Sequence, residues 1–266
     1  MSALLFIGFV ALMLLGAPLA TALGLTGAAV ILLADLGSMS IATNVYSSLA
    51  KYPLLALPVF ILAGMIFERV GVAAKLVAFV SALVGQRRGA QGVVAILVCM
   101  FLGGISGSGP ADAAAVAMVM LPSMTRQGYP PAFSASLIAA AGSTAILIPP
   151  SIAFVIFSVL VPQASVPALF AAGVIPGALA GLSLLAPTFV FAWKYGWGSR
   201  AQADRTGMLR TLKDASWGIA APIIILGGLR TGAFTPTEAA VVAVFYGLFV
   251  GLFVYRSLTW HKLYRV

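Results

Sequence analysis

"GGISGSGPADAAA", residues 103 to 115, gathers four glycines, two serines, a proline and Asp112, one of only six acidic residues, inside a chain that is 62% hydrophobic. From Gly89 to Thr125, Asp112 is the only charged side chain. In a soluble domain such a glycine-serine run is a surface turn, but its apolar neighbours allow no such reading until they are classified.

Charged side chains make up 8% of the 266 residues, against about 25% in an ordinary soluble domain, and the mean hydropathy is +1.11. This is the composition of an all-α polytopic membrane protein, because only helices or closed barrels satisfy the backbone in lipid and the apolar runs here have helical length. Those runs are Ala3 to Ala34, Pro167 to Trp193, Trp217 to Leu229 and Ala239 to Tyr255. The formal charge of +9 comes from fifteen Lys and Arg residues that lie between the runs. Lys194, Arg200, Arg205, Arg210 and Lys213 share one loop; Arg256, Lys262 and Arg265 follow the last run; Arg87 and Arg88 form a pair; Arg126 follows the glycine-serine stretch. Such placement is the positive-inside pattern, and it excludes a nucleic-acid-binding face. One Cys, Cys99, excludes an internal disulfide. His261, beside Trp260 and Tyr264, belongs to an interfacial tail, and one His with one Cys cannot assemble a metal or nucleophile site. The amino terminus lacks the basic region of a secretory signal, so Met1 onward is expected to be mature protein entering the bilayer at once.

Taking the basic loops as cytoplasmic sets the topology. Arg87 and Arg88 precede the glycine-serine stretch and Arg126 follows it, so both ends belong on one face. The legs, Gly89 to Gly104 and Ala111 to Met124, would be about 24 and 21 Å long as helices, short of the ~30 Å hydrocarbon core. This predicts a re-entrant helical hairpin with residues 103–115 at its tip; two ordinary tilted spans are the alternative. Irregular backbone at membrane depth is tolerated where it is buried in protein or lines a wet cavity. Farther on, "AAGSTAILIPPS", residues 140 to 151, interrupts the run Ala132 to Val161. The Pro149-Pro150 pair removes two backbone donors and disfavours helical geometry at Ile148, which predicts a discontinuous helix. Unwound carbonyls and half-helix ends are what secondary transporters use to hold cations and anionic substrates. The expected organisation is residues 1–88 as amino-terminal helices, 89–125 as the hairpin, 126–193 as the broken helix and next span, 194–216 as a basic cytoplasmic loop and 217–266 as the opening helices of an incomplete second repeat.

Three segments in order, "GISGSGPADAAAVAMVMLPSMTRQGYPPAFSASLIAAAGSTAILIPPSIAFVIFSVL", "LFAAGVIPGALAGL" and "GAFTPTEAAVVAVFYGLFVGLFVYRSLT", closely resemble the large membrane subunit of tripartite ATP-independent periplasmic (TRAP) transporters along essentially the whole chain. The resemblance implies a permease of the bacterial inner membrane for C4-dicarboxylates or similar organic acids. It implies further a periplasmic substrate-binding protein, a small membrane subunit, sodium ions as the coupling ion with no other cofactor, and an elevator-type movement. The family hairpin carries Gly-Ser followed by Ala-Asp-Ala-Ala, places held here by Ser106, Gly107, Ser108, Ala111 and Asp112, with Gly109-Pro110 departing from commoner forms. Family members continue into an inverted second half, and this chain is expected to stop after that half's opening helices. "LLGAPLATALGLTGAAVILL" and "RTGAFTPTEAAVVAVFYGLF" share a Gly-to-Pro break before a small-residue helix, which reads as a repeat seam.

The expected sodium-binding residues are Gly104, Ser106, Gly107, Ser108, Asp112, Gly142, Ser143 and Thr144; the expected substrate-binding residues are Ser108, Pro149, Pro150 and Ser151. Each has a structural competitor. Asp112 would cap the second hairpin leg, Ser106 and Ser108 would be turn residues, and Ser143, Thr144 and Ser151 would bond helix carbonyls at a kink. Glu238 in "TPTE" reads first as the acid of a capping box with Thr235. Arg230, expected on the outer side, reads first as a headgroup anchor and second as a cation for an anionic substrate or the binding protein; Glu68 and Arg69 read as a turn between short runs, and Gly173, Gly177 and Gly181 as a helix-packing face where a partner subunit could also dock. The competing functions are an ion-coupled elevator carrier without a binding protein, a scaffold fragment, and an intramembrane enzyme. The last is disfavoured because no base accompanies Asp112.

Overall fold

The computed structural model describes residues 2–37, 39–85, 87–198 and 207–258, and every regular element among them is helical. Four helices among the described residues are long and apolar enough to cross a membrane: Tyr52–Val70, Val166–Tyr195, Met208–Arg230 and Pro236–Val254. Residues 1–52 and 53–266 form two compact units.

In the first unit the run from Ala3 to Ala34 is two helices, α1 (Ser2–Leu14) and α2 (Leu19–Leu33), followed by α3 (Met39–Leu49). Hydropathy is continuous across the break, but Gly16 takes a left-handed φ of 84° and Pro18, at the N-cap of α2, has no donor with which to continue α1. The later "RTGAFTPTE" turn is built alike, with Gly232 at φ 74° and Pro236 opening the next helix.

The second unit begins with α4 (Ala56–Val70) and α5 (Val72–Val84), joined by Gly71 at φ 82°. Glu68 and Arg69 therefore lie in the last turn of α4 and not in a loop, and Arg69 complements the negative helix end. The hairpin is α6 (Ala90–Ser106) and α7 (Gly109–Arg126), and the broken helix is α8 (Pro131–Ala145) and α9 (Ile152–Leu160). A long span of two segments follows, α10 (Val166–Ser183) and α11 (Leu185–Tyr195). Then come α12 (Met208–Arg230) and α13 (Pro236–Phe249), the latter ending in a π turn at Val250–Val254. The basic loop is shorter than its charges imply: helix α12 begins at Met208, so Arg210 and Lys213 are helical. Arg200 and Arg205, like Trp260, His261, Lys262, Tyr264 and Arg265, lie outside the described residues.

The long span α10–α11 gauges the depth of the hairpin. It runs antiparallel to α6, with Ala192 and Phe189 against Gly89, Thr188 against Gly92 and Gly181 against Met100. Beyond the hairpin, Gly177 and Gly173 meet Leu147 and Ile148 of the break, and Phe154 of α9 also packs on Gly173. The tip thus ends opposite the break, and Val166 to Ala172 continue about 10 Å past it at 1.5 Å per residue. The three glycines of α10 are covered by the broken helix and by α6, so the packing face is spent inside the chain and does not serve a partner subunit.

At the hairpin's base, Gly89 N–H donates to Trp197 O at 3.3 Å and Gly198 N–H donates to Gln127 O at 3.1 Å. The segments carrying Arg87, Arg88, Arg126 and Lys194 therefore share one end of the molecule. Aromatic rings cluster there, with the Trp197 ring centroid 5.5 Å from Tyr129 and 4.8 Å from Phe133, as expected of an interfacial belt.

Helices α7 and α8 touch backbone to backbone at Gly109 and Gly142. A Cβ on Gly142 would stand 2.8 Å from the Gly109 carbonyl oxygen and 2.7 Å from Ala113 Cβ. Gly142→Val is therefore expected to force the hairpin off the broken helix and to cost about 1–3 kcal/mol or more, measured as a lowered unfolding midpoint in detergent, whereas Gly24→Ala, in the interior of α2 with nothing within 4 Å of its Cβ, does not lower it.

Candidate functional site

The hairpin turns because α6 stops on Gly107 at φ 66° and Pro110 opens α7. Only glycine takes this conformation without penalty. Space enforces the same choice: a Cβ on Gly107 would lie 2.7 Å from the Pro150 carbonyl oxygen and 3.3 Å from Ile152 N. The Ile152 N–H donates to Gly107 O at 3.4 Å, which ties the first turn of α9 to the tip. One turn earlier on α6, the Cβ position of Gly104 is 3.6 Å from Pro149 O and 3.4 Å from Pro222 Cβ of α12. The tip and the break, separate in sequence, are thus in backbone contact.

The break frees oxygen atoms at that contact. Proline at 149 and 150 supplies no N–H to the carbonyls one turn back, and α8 closes with tight bonds, Leu147 N–H to Thr144 O at 3.1 Å and Ile148 N–H to Ala145 O at 2.9 Å. Among the described residues no backbone N–H donates to Pro149 O or Pro150 O. Ser151 is the N-cap of α9, its Oγ accepting from Phe154 N–H at 3.4 Å. Ser108, the N-cap of α7, makes no side-chain cap bond and is half-buried. The glycine tip and the two proline carbonyl oxygens make an oxygen-lined junction with little side-chain bulk, and Ser108 follows Gly107 directly in the chain.

On the other flank of the hairpin lies the acid. Asp112 is buried at 3% exposure, within the first turns of α7. It does not cap that helix: its own N–H donates to Ser108 O at 3.0 Å in an ordinary helical bond. Instead the Ser106 hydroxyl donates to Asp112 Oδ1 at 2.7 Å while accepting from Ser108 N–H at 3.0 Å. Asp112 Oδ2 has no hydrogen-bond partner among the described residues. Asp112 borders a cavity of about 20 Å³ walled by Gly64, Phe67 and Glu68 of α4 and by Leu102 and Ser106 of α6, room for about one water or a small ion. Ser106 connects the two flanks, since one hydroxyl holds both the carboxylate and the amide at the tip.

The other expected ligands are placed differently. Ser143 is exposed and donates to Ala139 O at 2.9 Å, and Thr144 donates to Ala141 O at 2.9 Å, so both hydroxyls are turned back onto their own helix. Gly142 serves the contact with Gly109. One residue at the site escaped the sequence reading, Gly64, whose Cβ position is 3.0 Å from Ser106 Cβ; Glu68, one turn on along α4 and read from the sequence as part of a turn, instead walls the Asp112 cavity. Their i, i+4 spacing beside the buried Phe60, Ala63 and Phe67 was the available signal.

At the far end of α12 the "TPTE" turn is a complete capping box. Thr235 N–H donates to Glu238 Oε2 at 2.8 Å and Glu238 N–H donates to Thr235 Oγ1 at 3.3 Å. Thr235→Ala is therefore expected to lower thermal stability slightly while leaving cation and substrate binding unchanged, checked by melting with and without sodium.

Residues 6–266 match the family described as Tripartite ATP-independent periplasmic transporter, DctM component. The chain belongs to that family. DctM membership makes it a multi-pass protein of the bacterial inner membrane, and its relatives are transport permeases rather than enzymes. It is 43% identical, over 89% of its length and 55% of the relative's, to a C4-dicarboxylate TRAP transporter large permease protein DctM of Pseudomonas aeruginosa. It is 38% identical to an isethionate TRAP transporter permease protein DctMQ of Oleidesulfovibrio alaskensis, over 98% of this chain and 41% of the relative. A Rhodobacter capsulatus C4-dicarboxylate large permease matches all of it at 35% identity, over 64% of the relative. The chain spans between about two fifths and two thirds of these DctM relatives.

Proposed function

We propose that this chain forms the hairpin-bearing half of a sodium-coupled permease that takes up an organic acid. A periplasmic binding protein delivers the solute and a small membrane subunit completes the scaffold. The observation that carries this reading is the contact of the Gly107 tip with the unwound Pro149-Pro150 segment, whose carbonyls accept from no backbone N–H among the described residues, together with a buried carboxylate tied to the same tip through Ser106. Such groups in a membrane protein hold a dehydrated cation and one end of an anion. Sodium is assigned to the tip carbonyls, Ser106, Ser108 and Asp112, and the solute to Ser108 and the Pro149–Ser151 segment. In this reading the hairpin is re-entrant: its base shares one end with the basic segments and its tip stops about 10 Å before the far end of α10. The elevator movement carries hairpin and broken helix together, which their backbone contact favours. Relatives are named for C4-dicarboxylate, isethionate, 2,3-diketo-L-gulonate and sialic acid. These solutes share an acidic group and differ elsewhere, so the common junction supports an anion and leaves its remainder to other parts of the transporter.

The test is uptake into proteoliposomes by the chain together with its small subunit and binding protein, using radiolabelled succinate, isethionate and sialic acid under an inward sodium gradient. Accumulation of one solute that requires both the gradient and the binding protein supports the reading. Accumulation without the binding protein identifies a simpler carrier, and no accumulation of any of the three contradicts uptake of these acids.

A further inference from the structure

We propose that the groove between α10 and α12 binds an anionic phospholipid, its phosphate on Arg230 and an acyl chain along Phe170, Val174 and Leu226. The groove has a volume of about 750 Å³, within the range of ligand sites. Among the described residues Arg230 is the only charged side chain lining it, and the rest of that lining is apolar or proline. The geometry is polarised along the membrane normal. Pro167 and Ala168 at the start of α10 and Arg230 at the end of α12 form one end, away from the cluster of basic segments at the hairpin's base. The other end, at Val174 and Ile175, is level with the break, because Gly173 and Gly177 on the opposite face of α10 touch Leu147 and Ile148.

A hydrophilic organic acid fits this groove poorly, since among the described residues the walls offer one cation and no other hydrogen-bonding side chain. An amphiphile fits it at both ends: apolar walls take the hydrocarbon and the guanidinium takes the phosphate in a bidentate pair. The wall also faces outward, with Ile175 70% exposed, so lipid reaches it laterally. A lipid held there lies against the helix that supports the broken segment, where it would brace α10 as the hairpin assembly moves.

The test uses the purified chain in detergent, loaded with dioleoyl phosphatidylglycerol or dioleoyl phosphatidylcholine and read by native mass spectrometry. A photoactivatable phosphatidylglycerol maps the contact by peptide sequencing. Wild type is expected to retain phosphatidylglycerol about fivefold better than phosphatidylcholine, the scale of one cation at an anionic headgroup, with crosslinks on residues 167–175 and 226–230. Arg230→Gln should erase the preference. Ala171→Trp, at an exposed position that tolerates bulk, should reduce retention of both lipids without shifting the melting midpoint. A preference that survives Arg230→Gln, retention indifferent to Ala171→Trp, or crosslinks elsewhere would overturn the proposal. So would finding a second protein chain seated in the groove. Lipid retention is read without transport, so it stands or fails separately from the permease reading.

Discussion

Replacing Gly107 with valine will separate the hairpin from the broken helix and abolish sodium-dependent uptake. Two penalties add at this position. A left-handed φ of 66° is hostile to any branched residue, and for an ordinary residue it costs about 1–2 kcal/mol. The new Cβ would also stand 2.7 Å from Pro150 O and 3.3 Å from Ile152 N, both backbone atoms with no rotamer to escape into. Overpacking of this kind adds about 1–3 kcal/mol, so the expected loss is about 2–5 kcal/mol, a large share of a protein's marginal stability. Thermal unfolding in detergent measures the loss, and uptake in proteoliposomes shows whether the transport site survives. Gly107→Ala removes the branching and keeps the clash, so it should fall between wild type and valine. A valine variant with wild-type stability and uptake would show that tip and break do not meet as described.

Asp112→Asn is expected to leave the fold intact and to remove the response to sodium. The amide has the carboxylate's shape and still accepts from the Ser106 hydroxyl, now held at 2.7 Å on Oδ1. What disappears is the charge on Oδ2, which no donor among the described residues satisfies. A buried unpaired carboxylate costs stability until a cation joins it, so the variant should melt higher than wild type in sodium-free choline chloride. Added sodium should then reverse the order: wild type gains about 2.7 kcal/mol at sodium near 100 times its dissociation constant, and the variant gains nothing. A titration of the melting midpoint in sodium against choline at constant ionic strength reads both effects. Equal sodium gains in the two proteins would remove Asp112 from the cation site, and a lower sodium-free midpoint in the variant would show that the carboxylate has a partner.

The helical class and the hairpin were legible because each rests on local chemistry. A glycine that stops α6, a proline that starts α7 and two consecutive prolines that end α8 act through their own backbone. The capping box at Thr235 and Glu238 was legible for the same reason. Less readable was anything set by what lies across space. Hydropathy alone joined residues 3 to 34 into one run, although Gly16 and Pro18 carried the signal for two helices. Arg210 and Lys213 read as loop because charge density outweighed the helical continuity into α12. Ser143 and Thr144 have the hydroxyls a cation needs, but their register on α8 turns them to their own carbonyls. Glu68 reached the Asp112 cavity only through the packing of α4 on α6, a long-range contact that no short motif encodes. Likewise the α10 glycines announced close packing without saying that the neighbour would be the broken helix itself.

The most direct test of the central claim is sided accessibility of the hairpin tip to a membrane-impermeant maleimide. Cys99 is buried, so the native thiol stays silent and single cysteines report on their own positions. Gln163→Cys, in the turn between α9 and α10, should label from outside intact cells, and Gln127→Cys, at the hairpin's base, only after permeabilisation. Ser108→Cys is expected to label from neither side at a bulk rate and to be slowed further by sodium. Labelling of Ser108→Cys from outside as fast as Gln163→Cys would place the tip beyond the lipid and contradict it.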